Sequence, residues 1–302
     1  MLDVCILGNS GMQPLPNRHL ASVMFRYNGV NLLIDCGEGT QVAIKKRGWS
    51  FKNINIICLT HYHTDHISGL PGLLATMSNN EKKDELTIIG PPGLEKVVNA
   101  ALIMTPKLTF RIKLIKITEK YQSIKIDGFN IETYRLMHTT PCNGYNISIS
   151  RNGKCDIDKA HANGIPEELW NAIQRNEIVE YQGRILTKDL ILGESRKGIK
   201  VSYCTDTRPV PEIITHAKDA DLFICEGMYG DDENFANAIK NKHMLFKEAA
   251  ELAVSANVKE MWLTHFSPGL ASPKAYLENA TNIFPNTKLS ENGMTVCLEF
   301  SE

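Results

Sequence analysis

The chain has 302 residues, 43% of them hydrophobic, enough to bury one large core or two modest ones. Its formal net charge of −1 supplies no global basic field, so a polyanion must be gripped by a local patch. Apolar runs such as Asn55 to Leu59 fall far short of the ~20 residues of a membrane-spanning helix, and Met1-Leu2-Asp3-Val4 does not read as an export signal. The eight cysteines form no CxxC pair and mostly sit in apolar runs, which predicts reduced, buried thiols and a cytoplasmic protein.

Strand signals come first: Asp3 to Leu7, Ser22 to Tyr27, Asn31 to Asp35 and Ile54 to Leu59, separated by Gly, Asn and Pro clusters. Helices are expected over Leu70 to Met77 and Gly93 to Met104, flanking a strand at Leu86 to Ile89, with Pro91-Pro92 marking the second helix start. Strands return at Arg111 to Ile117, Ser123 to Ile126, Phe129 to Met137 and Tyr145 to Ser150. From Asn152 to Gly198 the texture changes to polar residues and helix formers around Pro166 to Glu177, without a strong core pattern, and reads as an insertion in a single domain. Strands Ile199 to Cys204, Leu222 to Cys225 and Glu260 to Thr264 then alternate with helices His243 to Ser255 and Pro273 to Ile283, before a last strand Met294 to Phe300. Sheets then helices, twice over, predict an α/β four-layer αβ/βα sandwich, two mixed sheets face to face with helices outside.

The most informative stretch follows Ile54 to Leu59. The run Thr60-His61-Tyr62-His63-Thr64-Asp65-His66 sets four metal-ligand side chains within six residues. Alternate residues of an extended chain share a face, so His61 and His63 point together while Asp65 and His66 move onto the next turn. Imidazole nitrogen with carboxylate oxygen suits Zn²⁺, with Mn²⁺ or Fe²⁺ as alternatives. Four such groups desolvated beside an apolar strand would cost on the order of several kcal/mol unless satisfied, and a metal is the simplest satisfier.

Three more candidates stand where strands end: His138 after Met137, Asp206 after Cys204-Thr205, and His265 after Thr264. The expected arrangement has His61, His63 and His138 on one metal, Asp65, His66 and His265 on the other, and Asp206 bridging. Two ions ~3.5 to 4 Å apart would clamp a hydroxide and stabilise both attacking and leaving oxygens. His161 and His216 gain no such support and read as solvated.

The pattern His61-x-His63-x-Asp65-His66 resembles the metallo-β-lactamase superfamily signature. Within it, four blocks resemble in order those of the ribonuclease Z family of tRNA 3′-processing endonucleases. They are Leu7 to Gly11 with Pro14 and Arg18, Asp35 to Gln41, Asp206-Thr207-Arg208-Pro209, and Leu263 to Ser267. By position the family's metal ligands fall on the same seven residues.

The resemblance implies a zinc-dependent endoribonuclease that removes the 3′ trailer from precursor tRNA, a metal-bridged hydroxide attacking phosphorus in line and leaving a 5′-phosphorylated trailer. It makes Asp65 a ligand and general base, and pairs Glu226 with His243 so that the imidazole protonates the departing ribose oxygen. Arg18 and His19, on the first loop, touch the acceptor end of the tRNA or cap that loop. The insertion at 152–198 becomes the substrate-binding arm, in a homodimer where one subunit's arm serves the other's site.

The chain departs from the family at Cys225-Glu226-Gly227-Met228, where only the glutamate of a His-Glu-Ala-Thr motif is kept, and at Gly269, where many members carry arginine. Gly164 to Trp170 also differs, carrying acidic Glu167 and Glu168 that would repel a phosphate backbone. The altered Cys225 to Met228 block and Gly269 favour an alternative with the same metals acting on small phosphodiesters, cyclic nucleotides or aryl sulfates.

Overall fold

A computed structural model describes residues 1–175 and 178–301. Its strands, numbered along the chain, are β1 Leu2–Gly8, β2 Ser22–Tyr27, β3 Val30–Ile34, β4 Ile54–Cys58, β5 Leu86–Gly90, β6 Ile112–Lys116, β7 Tyr121–Ile126 and β8 Phe129–Leu136. They continue as β9 Cys142–Arg151, β10 Val179–Tyr181, β11 Arg184–Leu186, β12 Arg196–Cys204, β13 Leu222–Glu226, β14 Met261–Thr264, β15 Thr287–Leu289 and β16 Thr295–Leu298. Two seven-stranded mixed sheets result, ordered β16-β1-β2-β3-β4-β5-β6 and β15-β14-β13-β12-β9-β8-β7. In the first, β3 to β6 run parallel; in the second, β12 to β15 do.

The central strands are apolar on both faces because each sheet is covered twice. Cys5, Leu7, Met24, Leu33, Ile57 and Ile88 pack with Ile44, Leu73, Leu74, Met77 and Val98 from helices Thr40–Arg47, Leu70–Asn79 and Leu94–Ile103. Across the second sheet, Tyr134, Cys204, Phe223, Cys225 and Leu263 pack with Ile213, Ala217, Phe246 and Ala250 from helices Pro211–Ala217 and Phe246–Ser255. The alternate residues, among them Ile6, Phe25, Ile147, Val201 and Ile224, are also buried and face the opposite way. There the sheets meet: Tyr145 Oη donates to Leu59 O at 2.7 Å, and the Tyr27 and Phe129 rings lie 6.0 Å apart.

The structure corrects several sequence expectations. The helix expected from His243 starts at Phe246, because Glu226 Oε2 draws the Met244 N–H to 3.2 Å and Glu248 caps Leu245 N at 2.9 Å. Pro273 to Ile283 divides into a 3₁₀ turn, Pro273–Tyr276, and a short helix, Glu278–Thr281. Helices Thr40–Arg47 and Pro211–Ala217 were not expected. His216 is not solvated but half-buried, its ring stacked on Tyr121 at 5.1 Å and on Tyr134 at 4.5 Å.

Residues 149–199 with 300–302 form a second compact unit, the first comprising 1–148 and 200–299. Contrary to the weak core pattern read in the sequence, the second unit has a small core of its own, with Ala160, Ile165, Ile173, Leu186 and Ile191 buried together. It carries helices Ile157–Ala162 and Glu167–Gln174 and the hairpin β10–β11. Asn176 and Glu177, at the end of the expected helical stretch, lie outside the described residues. Glu167 and Glu168 occupy the first turn of their helix, where carboxylates complement the helix dipole.

Candidate metal centre

Strand ends from both sheets converge on one pocket of about 270 Å³. From the first sheet come Asp35, after β3, and the run His61 to His66, after β4; from the second come His138, Asp206, Glu226 and His265, at the ends of β8, β12, β13 and β14. Asp35, Asp206 and His265 take left-handed backbone (φ 58°, 51° and 58°), which non-glycine residues rarely adopt. Each turn follows a buried strand that holds it in place. Gly11 lets the first loop pass close by, since a Cβ there would lie 2.6 Å from His265 Cε1.

Seven side chains form two groups that share Asp206. Donor atoms of His61, His63, His138 and Asp206 lie within 4.8 Å of one another, as do those of Asp65, His66, Asp206 and His265. Asp206 Oδ2 is 3.6 Å from both His61 Nε2 and His138 Nε2, whereas Oδ1 is 3.2 Å from both His66 Nε2 and His265 Nε2. One carboxylate oxygen thus faces each group. Asp65 Oδ2 lies 3.5 Å from His66 Nε2 and 3.4 Å from His265 Nε2, and accepts the Met12 N–H at 2.7 Å. His63 alone among the seven is exposed, so the sequence expectation of four desolvated groups in the run holds for three.

This donor set fits metal ions. His61 Nε2 is buried without a hydrogen-bond partner among the described residues. His138 Nε2 faces His63 Nδ1 at 3.2 Å, and His66 Nε2 faces His265 Nε2 at 3.2 Å. Nitrogen lone pairs so opposed repel unless a proton or a cation lies between them.

Charge reinforces the fit. Burial alone would raise Asp65 and Asp206, but the imidazoles of His265 and His66 hold both well below the usual carboxylate range. Burial, with His66 nearby, pushes His61 well below the ordinary histidine value, and burial also lowers His138. Anionic carboxylates and neutral imidazoles, as at His61 and His138, are the states that bind metal, whereas at His66 the Asp206 and Asp35 carboxylates outweigh burial and raise the imidazole well above its ordinary value.

Further bonds orient the imidazoles. Asp35 Oδ2 lies 2.7 Å from His66 Nδ1, Thr60 Oγ1 3.0 Å from His61 Nδ1, and Lys242 O 3.3 Å from His138 Nδ1. In each case Nε2 is left for the pocket. These supports escaped the sequence reading. Asp35 had a signal, as the polar end of an apolar strand, but Thr60 and Lys242 act through contacts that no spacing reveals.

Glu226 and His243 adjoin the cluster. Glu226, fully buried, accepts from His243 Nδ1 at 3.0 Å, Thr207 N at 2.5 Å and Met244 N at 3.2 Å. Burial works to lower His243, yet the Glu226 carboxylate outweighs it and pushes the imidazole up to about 9. His243 lines the pocket with Met12, Tyr229 and Lys240.

Arg18 and His19 lie elsewhere. Arg18 Nη2 donates to Leu270 O at 3.2 Å beside Asn9 and Lys274, in a neighbouring cavity of about 390 Å³. His19 packs on Gly39, where a Cβ would sit 2.4 Å from its Nδ1, and shares a further cavity with Lys46 and Arg47.

The ribonuclease Z of Lachnoclostridium phytofermentans is 52% identical over 302 residues, spanning 100% of this chain and 99% of its own. The chain belongs to the ribonuclease Z family. That of Clostridioides difficile is 46% identical over 305 residues, covering 100% of both chains. Residues 4–161 also belong to the family described as Anti-Pycsar protein Apyc1. That match includes the His61 to His66 run and His138 but not Asp206, Glu226, His243 or His265. Among solved structures, the short form of human tRNase Z superposes with a TM-score of 0.71 at 23% identity, covering 99% of this chain and 100% of that one. The likeness confirms the metallo-β-lactamase fold of two mixed sheets flanked by helices.

Proposed function

We propose that this chain is an endoribonuclease that removes the 3′ trailer from precursor tRNA, using two zinc ions per subunit. One observation carries the reading: in a chain alike over its full length to ribonuclease Z sequences, two groups of His and Asp donors share Asp206, one oxygen to each. His61, His63, His138 and Asp206 would hold one ion, and Asp65, His66, His265 and Asp206 the other, with Mn²⁺ or Fe²⁺ as alternative occupants of the same donors. When bound, such a pair supplies Lewis-acid chemistry, activating water and neutralising charge on phosphoryl oxygens.

The chain's own groups do the rest. Glu226 engages His243 Nδ1, leaving the Nε2 proton for the pocket, and the imidazole stays charged at neutral pH. His243 therefore donates from Nε2 to the departing ribose 3′-oxygen. Asp65, kept ionised, serves as a ligand. We assign the segment 152–198 to gripping the tRNA, with Arg175, Arg184, Lys188, Arg196 and Lys197 offsetting its acidic residues, in a homodimer whose arms serve each other's sites. Arg18 and His19, in cavities outside the ligand pocket, are assigned to the acceptor end.

A second reading keeps the metals and takes small phosphodiesters or cyclic nucleotides, and Gly269 in place of an arginine favours it. Incubating the zinc-loaded protein with 3′-extended precursor tRNA and, separately, with bis(p-nitrophenyl) phosphate decides between them. The expected products are tRNA with a 3′-hydroxyl and a 5′-phosphorylated trailer. Turnover of the ester alone would reject the tRNA assignment.

A further inference from the structure

Met12 occupies a place that suits neither its backbone nor its side chain. Its φ of 64° is left-handed, a region costly for methionine and free for glycine. The residue is 68% exposed and so gains little from the core. The turn itself has a reason, since the Met12 N–H donates to Asp65 Oδ2 at 2.7 Å. Glycine would make that bond equally well. The bond leaves unexplained an apolar thioether held in solvent at a pocket lined by Asp65, His138, Asp206, His243 and His265. A strained residue with no packing role beside a reactive centre points to function. Tyr229, half-buried, and Lys240, exposed, line the same pocket.

We infer that Met12 determines substrate specificity, its side chain packing against the nucleobase next to the scissile phosphate while Lys240 meets a neighbouring backbone phosphate. The inference rests on the ribonuclease reading and deepens it. Nucleobase faces are apolar and polarisable, as is a thioether, and such contact tolerates any base. A lysine on a phosphate adds sequence-independent, salt-sensitive attraction. Bis(p-nitrophenyl) phosphate has neither a nucleobase nor a second phosphate, so this rim discriminates polynucleotide from that ester.

The test compares wild type with Met12→Gly, which keeps the N–H and suits the left-handed backbone, on precursor tRNA and bis(p-nitrophenyl) phosphate. The ratio of kcat/KM for RNA over ester should fall about tenfold, mainly through KM, with Met12→Leu restoring most of it. Lys240→Ala should flatten the dependence of the RNA KM on salt. An equal loss on both substrates would overturn the inference, because Met12 would then act only through Asp65, and so would an unchanged ratio. Wild-type turnover of the ester without the RNA would sink the ribonuclease reading and this inference with it.

Discussion

Asp35 Oδ2 and His66 Nδ1 lie 2.7 Å apart with both side chains fully enclosed. The carboxylate also accepts from Thr60 N at 2.8 Å and Thr60 Oγ1 at 2.8 Å, so it is held from two sides. Fixing a proton on Nδ1 turns Nε2 into the pocket as an acceptor, and the aspartate sets that tautomer without touching the pocket itself.

Asp35→Asn tests this support. The amide cannot reproduce an anionic acceptor, and metal affinity should weaken about 10- to 100-fold, as read by competition with a chromogenic chelator. An affinity equal to wild type would remove Asp35 from the architecture of the site.

The His243–Glu226 pair governs pH dependence. His243 rises from 6.5 to about 9 on folding, so the folded protein binds a proton that the unfolded chain releases in that window. The resulting stabilisation is fully present below 6.5 and is lost as pH climbs through about 9. In Glu226→Gln the alkaline limb of the pH–rate profile should move to lower pH, and the deficit in Tm should be larger at acidic than at alkaline pH. A profile identical to wild type would separate His243 from proton donation.

Metal removal should destabilise the fold. Without ions the facing nitrogens of His66 and His265 and of His138 and His63 need a proton between them, and the buried His61 Nε2 has no hydrogen-bond partner among the described residues. Zinc at 100 times its Kd would contribute about 2.7 kcal/mol, visible in calorimetry as a Tm that falls on chelation and returns on readdition. An unmoved Tm would argue that these residues bind no metal.

Arg208 ties the helix behind His243 to the strand end that bears Asp206. Its guanidinium donates to Glu248 through both Nη atoms, at 2.9 Å from Nη1, and Nη1 also reaches His243 O at 2.6 Å. Lysine cannot fork in this way, so Arg208→Lys should cost about 1 to 3 kcal/mol in urea unfolding and lower kcat, because the His243 backbone loses an anchor. Full stability and full turnover would show the clamp to be dispensable.

The run His61 to His66 was legible because its chemistry is local: four ligand-type side chains packed behind an apolar strand are hard to satisfy without a cation. His138, Asp206 and His265 were legible as polar residues at the ends of apolar runs, and the resemblance named them independently. Helix Thr40–Arg47 was missed, since Gln41, Lys45, Lys46 and Arg47 leave it almost no apolar stripe. The stacking of His216 on Tyr121 and Tyr134 was equally hidden, because those rings stand far off in the chain.

Local alternation and turn residues by themselves located the longer strands and the polar groups that end them, because side-chain period and backbone preference act over a few residues, but gave no signal for the short strands β10, β11 and β15. Tertiary structure alone decided which ends meet, since the neighbours of β4 and the approach of the second sheet depend on pairings across much of the chain. It also set the left-handed turns at Asp35, Asp206 and His265, which buried strands impose against the residues' own preference. For the same reason the grip of Asp35 on His66, and the exposed Met12 beside the pocket, emerge only from the folded chain.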